Sequence, residues 1–116
     1  MFRQVMKSKI HGAVITKKEL GYNGSIGIDT ALLRESDIIA GEKVQVLNFN
    51  NGRRFETYVI EEADGSGIIA LYGPAARLGE IGDMICIISY AFMHDDEIGT
   101  ARRGVLILTR QNKISQ

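Results

Sequence analysis

The chain has 116 residues, 14 basic and 14 acidic, with one cysteine, Cys86. That length suits a single domain spanning residues 1–116 with a modest core. The balanced charge provides no global field for nucleic acid or an anionic membrane, and a lone cysteine excludes an intrachain disulfide. With no leader-like start and no apolar run of about 18 residues, a cytoplasmic setting without membrane contact is expected. Thirteen glycines, one proline and 45% hydrophobic residues rich in Ile and Val indicate short strands joined by tight turns, a mainly β class.

Residues 3–15 alternate imperfectly and predict a strand with Lys7, Lys9, His11 and Ala13 on one side. Lys17-Lys18-Glu19 reads as a turn, and Tyr22 to Ile28 as a second strand. Asp29 or Thr30 can cap a short helix running to about Asp37. A turn after Ile39 leads into a strand ending at Phe49. Asn50-Asn51-Gly52 is a strong hairpin signal, followed by a strand from Arg54 to Ile60. The Asp64-Gly65-Ser66-Gly67 turn precedes Ile68–Leu71, which is nearly all apolar, as is Met84–Phe92; both should cross the core. Pro74 suits the first position of a short helix over 74–78. Residues 94–103 read as a charged surface loop, Val105–Leu108 as the last strand, and residues 113–116 as a fraying end.

Laying Gly41 on Gly82 exposes a repeat. Residues 41–49 and 82–90 share the order Gly, acid, any residue, apolar, any residue, apolar, apolar, polar, aromatic, and each copy follows a short helix candidate. Such a repeat predicts a pseudo-two-fold closed barrel with few free edges.

Two Gly-Ser bonds occur. The one at 65–66 lies in a polar turn with no aromatic or basic strand beside it and is set aside. The stretch Tyr22-Asn23-Gly24-Ser25-Ile26 is either an ordinary tight turn or a strained peptide bond beside a hydroxyl nucleophile. Lys9 and His11, two apart on a strand, share a face and can address one ligand. Arg54 can grip one carboxylate at two points while Lys9 serves another as a point charge, which suits a dicarboxylic substrate. Each of these residues also has a plain reading: Lys9 and Arg54 as solvated charges, His11 as a satisfied histidine, Tyr22 and Tyr58 as packing residues, Thr57 as a strand residue. His94-Asp95-Asp96-Glu97 are adjacent loop residues that converge poorly on an ion, so no metal is expected, and Cys86 reads as a core residue.

Taken together, Lys9-Ile10-His11, Tyr22 to Asp29, Asn51 to Tyr58 and Gly73-Pro74-Ala75-Ala76-Arg77 closely resemble the motifs of the pyruvoyl-dependent aspartate 1-decarboxylases, in order and over essentially the whole chain. The resemblance implies a double-psi β-barrel with short helices, assembled as a homotetramer with sites at subunit contacts. It implies self-cleavage between Gly24 and Ser25, with a possible maturation factor. Chains 1–24 and 25–116 would result, the second headed by a covalent pyruvoyl group derived from Ser25 that forms a Schiff base with L-aspartate. The reaction implied is loss of carbon dioxide to leave β-alanine for pantothenate synthesis. By the same resemblance, Thr57 assists cleavage, Tyr58 donates the proton, and Lys9, His11, Arg54, Thr57, Gly73, Ala75 and Ala76 bind substrate, with Tyr22 and Tyr72 as further contacts. Tyr72 stands where the family commonly has asparagine, and Pro74 where alanine is usual. An uncleaved barrel acting as a binding or regulatory module, and a decarboxylase of a related amino acid such as glutamate, are the alternative readings.

Overall fold

In chain order the elements are β1 (Phe2–Val14), β2 (Lys17–Glu19), β3 (Ser25–Asp29), α1 (Thr30–Ser36), β4 (Lys43–Asn48), β5 (Arg54–Glu62), β6 (Ile69–Tyr72), a 3-10 turn (Gly73–Arg77), β7 (Met84–His94), α2 (Asp95–Ile98) and β8 (Gly104–Ile107), in a computed structural model that describes residues 1–116. The strands form one sheet in the order β2-β6-β3-β5-β4-β7-β1-β8. Four of the seven neighbouring pairs are antiparallel; β2 runs parallel to β6, β3 to β5 and β8 to β1. The β3–β5 and β1–β8 pairs flank the central β4–β7 pair, as the pseudo-two-fold of a double-psi β-barrel requires.

The repeat lies at that centre. Val46 pairs with Ile87, and each is the repeat counterpart of the other, so the axis passes through this pair. Backbone bonds obey the same symmetry: Gly41 N–H donates to Val59 O at 2.8 Å and Gly82 N–H to Ile15 O at 2.8 Å. In return, Val59 N–H donates to Glu42 O and Ile15 N–H to Asp83 O. Gly41 and Gly82 have φ of +87° and +96°, which their turns can hold only with glycine at low cost.

The acid of each copy is met by the polar residue of the other. Asp83 accepts from Asn48 Nδ2 at 3.0 Å and from Glu80 N–H at 2.9 Å; Glu42 accepts from the Ser89 hydroxyl, from Lys7 and from Ile39 N–H. The Asn48 and Glu80 donors hold Asp83 below the ordinary carboxylate range. Burial raises Glu42, but Ser89, Lys7 and Ile39 outweigh it and leave its carboxyl lowered as well.

Between these anchors lies an aliphatic core that includes Ile10, Ile15, Ile26, Ile28, Val44, Val46, Val59, Ile69, Leu71, Ile85 and Ile87, all at most 1% exposed. Asn112, at φ +59°, joins the two ends of the sheet: it accepts from Val14 N–H and donates to Val14 O and Gly67 O.

Several local expectations change. Lys17–Glu19 is a strand, because β6 supplies a parallel partner 53 residues away. Strand β3 starts only at Ser25, since residues 21–24 form the turn. The 73–77 helix is 3-10 in form. Residues 95–98 are helical: Glu97 accepts from His94 N–H at 2.9 Å, closing a capping box. The C-terminal end does not fray, because Ser115 N–H donates to Ile107 O and Ile107 N–H to Gln116 O.

Asp29 caps α1 and closes the turn before β6, accepting from Ala31, Gly65 and Gly67 N–H at 2.8–2.9 Å. Burial raises its pKa; the three backbone donors and Lys113 more than offset that and lower it. A lowered folded pKa means stability that is present above the unfolded carboxyl value and lost as pH falls through the folded one. Asp29→Asn should therefore cost about 2–3 kcal/mol in urea unfolding at pH 7. The gap to the unsubstituted chain should shrink below about pH 3.

Candidate active site

Ser25 opens β3, which is bonded to β5 on one side and to β6 on the other. The parallel ladder of β3 and β5 begins at Ile26–Val59, and Gly24, Thr57 and Tyr58 line one cavity just ahead of it. On the β6 side Ser25 pairs with Tyr72. Ser25 is fully buried, and its hydroxyl has one partner, the Asn23 carbonyl at 3.4 Å. A hydroxyl so loosely engaged is available to a neighbouring carbonyl carbon, and Gly24 supplies the adjacent one.

The 3-10 turn is pressed against this junction. Gly73 has φ +65°, and a Cβ built on it would lie 2.6 Å from Tyr22 O and 2.7 Å from Gly24 N. Pro74 Cδ stands 3.2 Å from where a Cβ on Gly24 would be. At Gly73 backbone meets backbone, and only glycine leaves room; at Gly24 a Cβ would press tightly on the Pro74 ring.

In front of the junction is a cavity of about 350 Å3 lined by Gly24, Phe55, Glu56, Thr57, Tyr58, Pro74, Ala75 and Leu78. It unites Gly24, Thr57, Tyr58 and Ala75 of the sequence-predicted site. Thr57 shares the inward face of β5 with Phe55 and buried Val59, while Tyr58, 41% exposed, shares the outward face with Arg54. Ala76 is buried in the core beside Ala75.

Lys9 and His11 lie elsewhere in the chain. The cross-strand row His11–Cys86–Leu47–Arg54 runs through β1, β7, β4 and β5, so His11 and Arg54 share the outer face but are three strands apart, roughly 14 Å along the sheet. His11 packs edge-on against Phe49 at 5.5 Å between ring centroids. Neither Lys9 nor Arg54 takes part in an ion pair. Cys86 is buried on this face; burial raises its thiol pKa and the Lys9 charge offsets part of that.

Tyr72 is buried, and its hydroxyl donates to Glu62 Oε2 at 2.6 Å. Its ring lies 4.9 Å from that of exposed Tyr22, and Lys17 Nζ stands 5.6 Å from its centroid. Burial first, then the bond and charge of Glu62, push the phenol pKa well above its ordinary value, so Tyr72 remains a donor. Glu62 has no place in the sequence-predicted site, and its one sequence signal is Gly27: a Cβ there would meet Glu62 Oε2 at 1.9 Å. A second, polar cavity of about 190 Å3, lined by Lys7, Ser8, Arg102 and Arg103 among others, contains none of the candidate residues.

A family profile described as aspartate decarboxylase matches residues 1–115. The chain belongs to the aspartate decarboxylase family. Its similarity to individual members is high over most of both sequences. The aspartate 1-decarboxylase of Kosmotoga olearia is 61% identical over 97 residues, 84% of each chain. That of Pelotomaculum thermopropionicum is 53% identical over 114 residues, 98% of this chain and 86% of the relative. That of Desulfotalea psychrophila is 48% identical over 116 residues, all of this chain and 98% of the relative. Family membership accounts for the barrel and its repeat together.

Gly73→Ala puts a side chain into the left-handed region and into the backbone of residues 22–24. It should lower stability by about 2 kcal/mol or more in urea unfolding.

Proposed function

We propose that this chain cuts itself between Gly24 and Ser25 and then works in the cytoplasm as an aspartate 1-decarboxylase, turning L-aspartate into β-alanine and carbon dioxide for pantothenate synthesis. As a member of the aspartate decarboxylase family it is a carboxy-lyase. The observation that carries the self-cleavage is the buried Gly24–Ser25 junction, backed by Gly73 and Pro74 and open in front to a cavity bordered by Thr57 and Tyr58.

In the first step Ser25 Oγ forms a bond to the Gly24 carbonyl carbon and the peptide C–N bond breaks, leaving an ester and a free amino group on residue 25. An amide is a poor electrophile, so the attack needs a fixed backbone and a donor for the developing oxyanion. The 3-10 turn fixes the backbone, and Thr57, which lines the same cavity as Gly24, is the hydroxyl assigned as that donor. β-Elimination from the ester releases the Gly24 carboxylate and leaves dehydroalanine at residue 25; its enamine tautomerises to an imine, and water hydrolyses that to the pyruvoyl group heading residues 25–116, with the nitrogen lost as ammonia. The site suits such a group: Ser25 is fully buried, and Gly24 and Gly73 add no side-chain bulk.

When formed, the pyruvoyl group supplies the electron sink for decarboxylation. The chain's own residues do the rest. Arg54 and Lys9 hold the two carboxylates, His11 lines the site, Ala75 and the Gly73 backbone allow close approach, and Tyr58 delivers the proton to the α-carbon. Because Lys9 and His11 sit three strands from Arg54 and Tyr58 on one continuous outer face, a complete site brings β1 of one copy against β5 of another. That arrangement supports a homotetramer with sites at its contacts, and a maturation factor can act on the exposed Tyr22–Asn23 side of the turn.

Intact mass of the denatured protein tests the reading. Two species, residues 1–24 and a pyruvoyl-headed 25–116, are expected, with β-alanine formed from aspartate; a single mass that persists on warm incubation overturns it. Thr57→Val should remain folded and uncut. Tyr58→Phe should be cut normally yet lose about 10²-fold or more in turnover; failure of cutting in that variant would show that the two roles are misassigned.

A further inference from the structure

Glu62 and Tyr72 lie on strands that do not touch. β3 runs between β5 and β6, yet the Glu62 side chain crosses above it and receives the Tyr72 hydroxyl at 2.6 Å. The crossing point is Gly27, whose missing Cβ is what lets the carboxylate pass: a methyl there would fall 1.9 Å from Oε2 and 2.8 Å from Cδ. At its other end the Glu62 backbone is fixed, because the Thr30 hydroxyl donates to Glu62 O at 2.7 Å. Tyr72 in turn carries the Tyr22 ring against its own face, 4.9 Å between centroids at an interplanar angle of 42°. Tyr72 is also the cross-strand partner of Ser25 and directly precedes Gly73, while Tyr22 heads the turn that Gly73 touches.

We propose that Glu62 is a positioning residue for the cleavage at Gly24–Ser25: seated over Gly27, it anchors the Tyr72 phenol, and Tyr72 fixes Tyr22 and the Gly73 backbone on either side of the scissile bond. This rests on the self-cleavage proposed above. The bond that breaks is two residues beyond Tyr22, at the join between the turn and β3, so its geometry depends on what grips the turn. The 3-10 turn grips it from behind through Gly73 and Pro74. The Glu62–Tyr72–Tyr22 chain grips it at its head. Without the carboxylate, the buried phenol loses its one side-chain partner and the tyrosine pair loses its fixed end. Glu62 touches neither reacting atom, so its effect is on the approach of Ser25 Oγ to the Gly24 carbonyl and not on the chemistry itself.

The test is the rate of cleavage of freshly purified full-length chain, followed by intact mass at a temperature well below the unfolding midpoint of every variant. Glu62→Ala and Tyr72→Phe should each slow cleavage roughly tenfold. Glu62→Gln keeps an acceptor over Gly27 and should stay within about twofold of the unsubstituted rate. Gly27→Ala, which displaces the carboxylate, should be as slow as Glu62→Ala, and the double substitution no slower than either alone. Unchanged rates in Glu62→Ala and Tyr72→Phe, even with lowered unfolding midpoints, would make the bridge merely structural and overturn the proposal. So would a Glu62→Gln variant as slow as Glu62→Ala, or additive losses in the double variant. Should Glu62→Ala not fold, Tyr72→Phe against Glu62→Gln decides by the same rates. An unsubstituted chain that never cuts removes this proposal together with self-cleavage, whereas a cutting chain with indifferent variants removes this one alone.

Discussion

The reciprocal capping of Glu42 and Asp83 is the constraint from which the rest of the barrel follows. Each acid terminates a turn of its own copy and is held by the polar repeat residue of the other copy's strand, Ser89 within β7 for Glu42 and Asn48 at the end of β4 for Asp83. A carboxylate accepting several hydrogen bonds in a shielded place is costly to leave unpaired, so neither half of the repeat is satisfied until the other has folded onto it. Once they interlock, Gly41 and Gly82 fix corresponding points of the two halves, Val59 on β5 and Ile15 directly after β1. The strands carrying the candidate chemistry thus occupy pseudo-equivalent places, Thr57 and Tyr58 on one, Lys9 and His11 on the other.

The symmetry ends where the candidate chemistry begins. β3 and β8 are counterparts, each parallel to the strand beside it, but β3 is also covered by the strand β6 and buried at every residue, while β8 meets only the last residues of the chain, at Ile107, and is half exposed. A peptide bond at the head of β3 leads into a fully buried Ser25 and is held from two sides; one at the head of β8 would be freer to relax. The 3-10 turn adds a third side. This explains in physical terms why one Gly-Ser bond of the chain suits rearrangement and the other, in the exposed turn at residues 65–66, does not.

Much of this was legible in the sequence because its signals are local. Asn51-Gly52, Pro74, the Asp29 cap and the Gly-acid repeat each reflect backbone preferences that a few residues determine, and the repeat carried the architecture with it. Long-range pairing leaves no such trace. Lys17–Glu19 looks like a turn until β6 arrives as a parallel partner, and the last residues look free until Asn112 and Ile107 tie them down. The candidate site divides the same way: Gly24, Ser25, Thr57 and Tyr58 stand out by motif, whereas Glu62 belongs to no motif, and its only mark is a glycine 35 positions away that makes room for it.

Tyr72 shows how a departure from a family pattern can be read once neighbours are known. By sequence alone, a phenol in place of an amide means one rotatable hydroxyl on a larger ring where two hydrogen-bonding groups are usual. In the barrel that hydroxyl is aimed away from the Gly24–Ser25 junction, toward Glu62, and its ring serves as a platform for Tyr22. A short amide at this position could not span β3 to reach the same carboxylate, and without the reach there would be no need for glycine at 27. Glu62, Gly27 and Tyr72 are therefore best understood as one adjustment made of three residues, which converts a polar contact beside the junction into a mechanical support for it.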